Sequence, residues 1–165
     1  MSGLGIPPGY SRSRGLSFQV EATELEAIAT NSEGREIQVT PATARAWTQM
    51  RDAAAAAGVA LVAHSGFRSI ARQGEIIRAK LEAGETLAKI LTVMTAPGYS
   101  EHHSGRAIDI GVPGQPPLTE EFAETPAFAW LQAHAGEFGF SLSYPKNNSH
   151  GITYEPWHWL FVPPG

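Results

Sequence analysis

Two short segments of this sequence contain residue types that bind metal ions and activate water. The first is SEHHSGRAID, residues 100–109, and the second is EPWH, residues 155–158. Together they offer two imidazoles and one carboxylate as metal ligands, and a second carboxylate close to one imidazole. Two histidines and one acid, with a fourth position open, are a ligand set of catalytic zinc. The segments therefore predict hydrolysis by a metal-activated water.

The expected strands place these ligands on one side of a sheet. If residues 106–112 form a strand, Asp109 points away from an apolar face that carries Ile108, Ile110 and Val112. In a last strand over residues 157–162, His158 points away from Trp157, Trp159 and Phe161. Each strand then presents one ligand to a cleft. His102 arrives from the preceding loop, and Gly105 permits the turn into the strand.

Glu155 is the candidate base. It stands three residues before His158, and on a straight strand the two side chains would point to opposite faces. Pro156 is expected to bend the chain and to bring the carboxylate to the open position of the metal. A base must lie within about one hydrogen bond of the water that it deprotonates.

Helical and extended patterns alternate along the rest of the chain. Apolar spacing and capping signals predict helices over residues 41–57, 70–83, 85–94 and 126–138. Alternating or short apolar runs predict strands over residues 16–22, 36–40, 59–63, 106–112, 140–143 and 157–162. The first two strands flank a turn signal at residues 31–34. The pattern predicts an α+β fold, a small central antiparallel sheet with helices packed on it.

Composition indicates one globular domain. The chain has 165 residues, of which 42% are hydrophobic and 17% charged, enough to bury a core. We expect a flexible arm over residues 1–15 and a single domain, which carries the metal site, over residues 16–165. The absence of cysteine excludes disulfides and thiolate ligands, so a metal site must use histidines and carboxylates.

The charge and hydropathy of the chain also bear on its partners. A net charge of −4 gives no sign of a nucleic-acid partner. No stretch approaches the roughly 20 apolar residues of a membrane span. Residues 1–14 lack the apolar core of a signal peptide, which favours the cytoplasm for the sequence as written, and the cell envelope if a leader was removed. A monomer is expected.

The motifs resemble those of VanY-type zinc D-alanyl-D-alanine carboxypeptidases and of their L,D-carboxypeptidase and D-Ala-D-Ala dipeptidase relatives. The similarity covers roughly residues 40–162 and includes SGFRS at 65–69, APG at 96–98 and SYP at 143–145. It implies that His102, Asp109 and His158 bind zinc and that Glu155 is the catalytic base. The implied fold is the small α+β one shared with the Hedgehog signalling domain.

The same resemblance implies contacts with substrate. Arg68 would stabilise the oxyanion of the tetrahedral state, and a fixed donor at that position is often the largest catalytic contribution. Gln73 and Ser100 would contact the terminal D-residue or its carboxylate. Phe67 stands where the motif usually has tyrosine, and His150 lies in a loop that could border the cleft.

The expected reaction is zinc-dependent removal of the C-terminal D-amino acid from peptidoglycan stem peptides, with D,D or L,D specificity. A D-Ala-D-Ala dipeptidase and an L-Ala–D-Glu endopeptidase stay open, since they share these motifs. A non-catalytic metal-binding or partner-binding module of the same fold is the alternative from another class. Such a module has no need for a base at Glu155. A structural zinc site is disfavoured because only three protein ligands are evident.

Overall fold

A computed structural model describes residues 3–164 of the chain. The helices are α1 (Tyr10–Ser13), α2 (Pro41–Ala56), α3 (Ile70–Glu82), α4 (Leu87–Val93) and α5 (Pro126–His134). The strands are β1 (Glu26–Thr30), β2 (Glu36–Val39), β3 (Val62–Ser65), β4 (Ala107–Gly111), β5 (Phe140–Leu142) and β6 (His158–Phe161). Three short 3₁₀ turns lie at Glu101–Ser104, Glu120–Glu124 and Ala135–Phe138. Among the described helices, none has the length and apolar character to cross a membrane.

A four-stranded antiparallel sheet carries the two motif segments at its centre. Its strand order is β3-β4-β6-β5, and Asp109 of β4 lies directly opposite His158 of β6. A separate hairpin pairs β1 with β2. The predicted α+β class is confirmed, with the antiparallel strands divided between two sheets.

The sheet buries the face that the alternation predicted. Ile108 and Ile110 are at most 1% exposed and belong to the main core with Trp159 and Phe161. Full burial of one such aliphatic side chain contributes about 1.5–3 kcal/mol. Asp109 and His158 therefore occupy the other face, as expected from the two-residue repeat of a strand.

Helix α2 closes the core from one side, and its start agrees with the prediction. The Thr40 side chain accepts a hydrogen bond from the Thr43 amide at 3.3 Å, and Pro41 is the first helical residue. Trp47 and Met50 lie on the buried face of this helix.

The strand expected over residues 16–22 is wrong, because the partner of β2 is residues 26–30. Residues 16–22 instead run beside the motif loop, where the Gln19 amide donates to the Gly98 carbonyl at 2.7 Å and the Ala22 amide to the His103 carbonyl at 2.9 Å. Phe18 and Val20 are 61% and 76% exposed. The alternation of polarity there did not mark a buried face.

The described part of the expected flexible arm, residues 3–15, packs against α3 and α4. Leu4 is buried with Ile77 and Ile90, and the Tyr10 hydroxyl accepts from the Ala96 amide at 3.1 Å. Glycine and proline prevent long regular structure in this segment, but its apolar side chains still reach two small clusters. Residues 1 and 2 of the expected arm, and residue 165 of the expected domain, lie outside the described residues.

Candidate active site

The 3₁₀ turn at residues 101–104 delivers His102 to the mouth of the sheet. The Ser100 hydroxyl caps this turn by accepting from the His102 amide at 3.2 Å. Gly105 ends the turn at φ 69°, and a Cβ built there would lie 3.0 Å from the Ala22 and Thr40 side chains. Glycine is therefore required for both conformation and space, as expected.

His102, Asp109 and His158 converge on one point. The Nε2 of His102 and the Nδ1 of His158 each lie 3.3 Å from the Oδ1 of Asp109, and all three residues are buried. A tetrahedral ion with bonds of about 2.0–2.1 Å has ligand atoms roughly 3.3 Å apart. Both nitrogens therefore lie at the ligand spacing of one small divalent ion from Oδ1, and the three donor atoms lie within 4.8 Å of one another.

Hydrogen bonds aim the ligand nitrogens of the two histidines. The Nδ1 of His102 donates to the Gly66 carbonyl at 2.8 Å, which leaves Nε2 for the ion. The Nε2 of His158 donates to the Oε1 of Glu101 at 2.8 Å, which leaves Nδ1. Such outer partners orient the ring and raise the basicity of the ligand nitrogen.

The bonding of Asp109 tests whether a cation fits. Ser65 donates its hydroxyl to Oδ2, but within residues 3–164 the buried Oδ1 has no hydrogen-bond partner. Burial favours the neutral acid, yet His102 and His158 hold the pKa of Asp109 well below its usual value. A buried, unpartnered carboxylate oxygen is costly. Two imidazoles and this oxygen fit zinc, which neutralises that cost.

Burial lowers the pKa of His158, but its contacts with the carboxylates of Asp109 and Glu101 outweigh this effect and raise the pKa to about 10. A metal ion bound at Nδ1 therefore replaces a proton, as is usual when a metal takes an imidazole ligand.

Glu155 reaches the ligand cluster through the bend that Pro156 was expected to make. The His158 amide donates to the Glu155 carbonyl at 3.2 Å, which closes the turn. The Oε1 of Glu155 lies 3.8 Å from the Nδ1 of His158. Burial raises the pKa of Glu155 to about 7, and the charges of Asp109 and Glu101 act in the same direction. The carboxyl therefore lies beside the position of the ion, with its pKa raised towards neutrality.

Arg68 borders the same cleft and is held at both its backbone and its side chain. Its amide donates to the His102 carbonyl at 3.1 Å, and its carbonyl accepts from the Nδ1 of His103 at 2.7 Å. Its Nη1 donates to the Oε1 of Gln73 at 2.9 Å. These contacts hold the guanidinium group at the cleft that Asp109 and Glu155 also line.

Gln73 and Ser100 line the cleft, but their hydrogen bonds differ. Gln73 is 1% exposed; its Oε1 accepts from Arg68, and its Nε2 donates to the Thr95 carbonyl at 2.8 Å. It thus holds Arg68. The Ser100 oxygen accepts from the His102 amide, which leaves its O–H to donate to a ligand.

The cleft has a volume of about 230 Å³ and contains all seven residues that the sequence proposed. They are Arg68, Gln73, Ser100, His102, Asp109, Glu155 and His158. Trp157, expected on the core face of the last strand, instead precedes β6 and lines the cleft together with Met94 and Tyr144. Phe67 lines a different groove, and His150 borders a small cavity on the far side of Tyr144, where its Nδ1 donates to the Arg14 carbonyl at 2.9 Å.

Sequence reasoning missed the polar residues behind the ligands. The Oε1 of Glu101 accepts from both His158 and Ser143, the latter at 2.6 Å. His103 joins two loops, since its Nε2 accepts from the Gly98 amide at 3.1 Å. The available signal was that Glu101 and His103 flank His102, and that Ser143 stands in one of the motifs.

Comparisons with known proteins agree with this geometry. The family model described as VanY, D-alanyl-D-alanine carboxypeptidase, matches residues 36–164. The D-alanyl-D-alanine carboxypeptidase of Enterococcus faecalis is 31% identical over 149 residues, which cover 84% of this chain and 52% of that protein. The chain spans about half, or less, of the length of the curated relatives that it matches.

Solved structures show the same fold. The LdcB LD-carboxypeptidase superposes with a TM-score of 0.78 at 33% identity, covering 86% of this chain and 69% of that one. The E175A mutant of the D,D-pentapeptidase VanY, solved in complex with Zn(II), superposes with a TM-score of 0.66 at 30% identity, covering 89% and 81%.

Proposed function

Because the chain belongs to the VanY family of D-alanyl-D-alanine carboxypeptidases, we propose that it is a zinc-dependent peptidase. It removes the C-terminal D-amino acid from peptidoglycan stem peptides. The observation that carries this proposal is the convergence of three ligand atoms on one point, with Glu155 beside them and Oδ1 of Asp109 unpartnered.

The zinc ligands in this proposal are the Nε2 of His102, the Oδ1 of Asp109 and the Nδ1 of His158. When bound, zinc polarises a carbonyl and lowers the pKa of water from 15.7 towards about 7. With neutral imidazoles and one carboxylate, the ligand set leaves a net positive charge at the site.

Glu155 takes the proton from the attacking water at its carboxylate and returns it to the leaving amine. This role needs a carboxyl whose pKa lies near the working pH, and burial provides that. Arg68 donates to the carbonyl oxygen as negative charge develops there. Gln73 keeps the guanidinium in place, and the O–H of Ser100 donates to the terminal residue of the substrate.

A relative of this chain, VanYB, has been solved in complex with D-alanine-D-alanine, at 32% identity and a TM-score of 0.68. That supports a D-amino-acid-terminated peptide as substrate here. The cleft is built from one chain, so we also propose that the protein acts as a monomer.

The test is incubation of the zinc-loaded protein with tripeptide, tetrapeptide and pentapeptide stems, followed by mass analysis of the products. Loss of one residue from the pentapeptide identifies D,D specificity, and loss from the tetrapeptide identifies L,D specificity. Hydrolysis of free D-Ala-D-Ala, offered as a fourth substrate, identifies the dipeptidase alternative instead, and cleavage inside the stem identifies the endopeptidase alternative.

Glu155→Gln is the decisive variant, because it keeps the shape of the side chain and removes the base. We expect its kcat to fall by about 10²–10⁴-fold, while zinc binding persists because Glu155 is not a ligand. Full activity of this variant, or of protein stripped of metal by a chelator, would refute the proposal. Zinc binding without turnover in the unmodified protein would favour the non-catalytic module.

A further inference from the structure

One end of the cleft lies between α3 and α4 and is lined by Gln73, Lys80, Val93 and Met94. This end, called the arm of the cleft below, contains a cation without an assigned role. Lys80 lines the same cleft as the proposed zinc ligands, near the end of α3. Within the described residues, Arg68 and Lys80 are the lysine and arginine side chains that border this cleft. We propose that Lys80 binds a carboxylate of the substrate, an inference that rests on the proposed function.

Helix geometry places Lys80 on the face of α3 that carries Gln73. Seven residues separate the two, and seven residues turn a helix to within about 20° of its starting direction. The same interval advances about 10 Å along the axis. Gln73 contacts Arg68 at 2.9 Å, so the arm extends from the oxyanion position towards Lys80.

The side-chain amide of Gln73, which also lies on α3, already has partners. Its oxygen accepts from Arg68 and its nitrogen donates to the Thr95 carbonyl. Val93 and Met94 add apolar wall. Beyond Arg68, the cationic donor that a carboxylate meets in this arm is therefore Lys80.

Lys80 is only loosely held in the structure. Its Nζ lies 3.8 Å from the Oε2 of Glu85, which is longer than a hydrogen bond, and both side chains are about one-third exposed. An exposed pair of this kind contributes little to stability. The ammonium group can therefore move from Glu85 to a substrate carboxylate at small cost.

The carboxylate has two possible sources within a stem peptide. One is the terminal carboxylate of the D-residue, and the other is a carboxylate along the stem, such as that of D-glutamate. An extended peptide advances about 3.3 Å per residue, so the 10 Å separation corresponds to about three residues before the reach of the lysine side chain is counted. Both sources lie within that range.

The test measures peptide binding by calorimetry on zinc-loaded protein carrying Glu155→Gln, so that no peptide is hydrolysed. Three ligands are compared: a pentapeptide stem, its D-isoglutamine analogue, and its C-terminal amide. Adding Lys80→Met, which keeps the aliphatic stem, should weaken binding of the pentapeptide about threefold to tenfold. The loss should vanish for the analogue that lacks the contacted carboxylate, which identifies the source.

Two further variants serve as controls. Lys80→Arg should retain binding within about twofold, because it keeps a cation with at least as many donors. Lys89→Met removes an exposed charge of α4, outside the cleft, and should leave all three affinities unchanged. Equal affinities with and without Lys80→Met, an equal loss for Lys89→Met, or a loss that persists with both analogues would each overturn the inference.

The outcome is separable from that of the proposed function. If the unmodified protein binds the pentapeptide in a Lys80-dependent way but does not hydrolyse it, the proposed reaction fails and the carboxylate subsite stands. If it hydrolyses the pentapeptide and Lys80→Met changes neither Kd nor KM, the subsite fails and the reaction stands.

Discussion

At the scale of single residues, the candidate site depends on carboxylates in different settings. Asp109 is buried among histidines and stays ionised, while Glu155 is buried with fewer compensating groups and its pKa rises to about 7. Opposite environments thus suit one carboxylate to bind a cation and the other to carry a proton. Glu101 accepts a hydrogen bond from the Nε2 of His158, on the side of the ring away from the proposed ion, and it does not line the cleft.

Glu101 is expected to set the zinc affinity through His158. Glu101→Ala removes the acceptor that aims the Nδ1 of His158, and we expect zinc to bind about 10–100-fold more weakly. Competition with a coloured chelator measures this directly, without reference to turnover. Glu121→Ala, an exposed acid in another 3₁₀ turn, is the matched control. If both variants bind zinc like the unmodified protein, Glu101 does not orient His158.

At the scale of elements, the site is made where a tight turn enters a central strand. The 3₁₀ turn carries His102, β4 carries Asp109, and β6 begins at His158. Pairing of β4 with β6 fixes the last two residues opposite each other. The position of His102 relative to these two residues depends on how the 3₁₀ turn joins β4, and Gly105 forms that junction.

Gly105→Ala is expected to destabilise the protein and loosen the metal site. The substitution combines a left-handed conformation with contacts at 3.0 Å, and we expect a loss of about 2–4 kcal/mol in the free energy of unfolding. Gly114→Ala is the control, since Gly114 also has a positive φ, of 83°, but nothing lies within 4 Å of its Cβ position. It should cost only about 1 kcal/mol. Urea unfolding in the presence of a chelator compares them, and equal losses would show that crowding at Gly105 is unimportant.

At the scale of the whole molecule, zinc binding is coupled to folding, because the proposed ligands come from distant parts of the chain. Residues 102, 109 and 158 come together only when β4 and β6 pair. An ion that binds the folded chain alone stabilises it by mass action. In the metal-free protein, His158, whose pKa is raised to about 10, carries a proton that balances the charge of Asp109, and a zinc ion would take the place of that proton.

Zinc at 100 times its Kd should raise the free energy of unfolding by about 2.7 kcal/mol, seen as a higher Tm in a thermal scan. Asp109→Asn should abolish most of this gain, because it removes the anionic ligand. Without metal, the Asn variant should be less stable than the unmodified chain near neutral pH, because it leaves the buried His158 without the carboxylate that helps to raise its pKa. An undiminished zinc-induced rise in the Tm of this variant would exclude Asp109 as a ligand.

Residue types and local spacing were sufficient to propose the ligands and the base and to predict the strand faces. The two-residue repeat of a strand separates Asp109 from Ile108 and His158 from Trp159 whatever else the chain does. The start of α2 could also be predicted from local sequence, because a threonine cap and a following proline act within one helical turn. The motif resemblance added Arg68, Gln73 and Ser100 to the same cleft.

Contacts between distant segments were needed for the rest. The ligand nitrogen of His158 depends on Glu101, 57 positions away, and that of His102 on the Gly66 carbonyl, 36 positions away. The pairing of Gln73 with Arg68, the packing of residues 3–15 and the position of Lys80 beside the cleft likewise arise only when α3, α4 and the motif loop meet. Sequence spacing reports neighbours along one helix or strand, whereas these contacts depend on how separate elements pack.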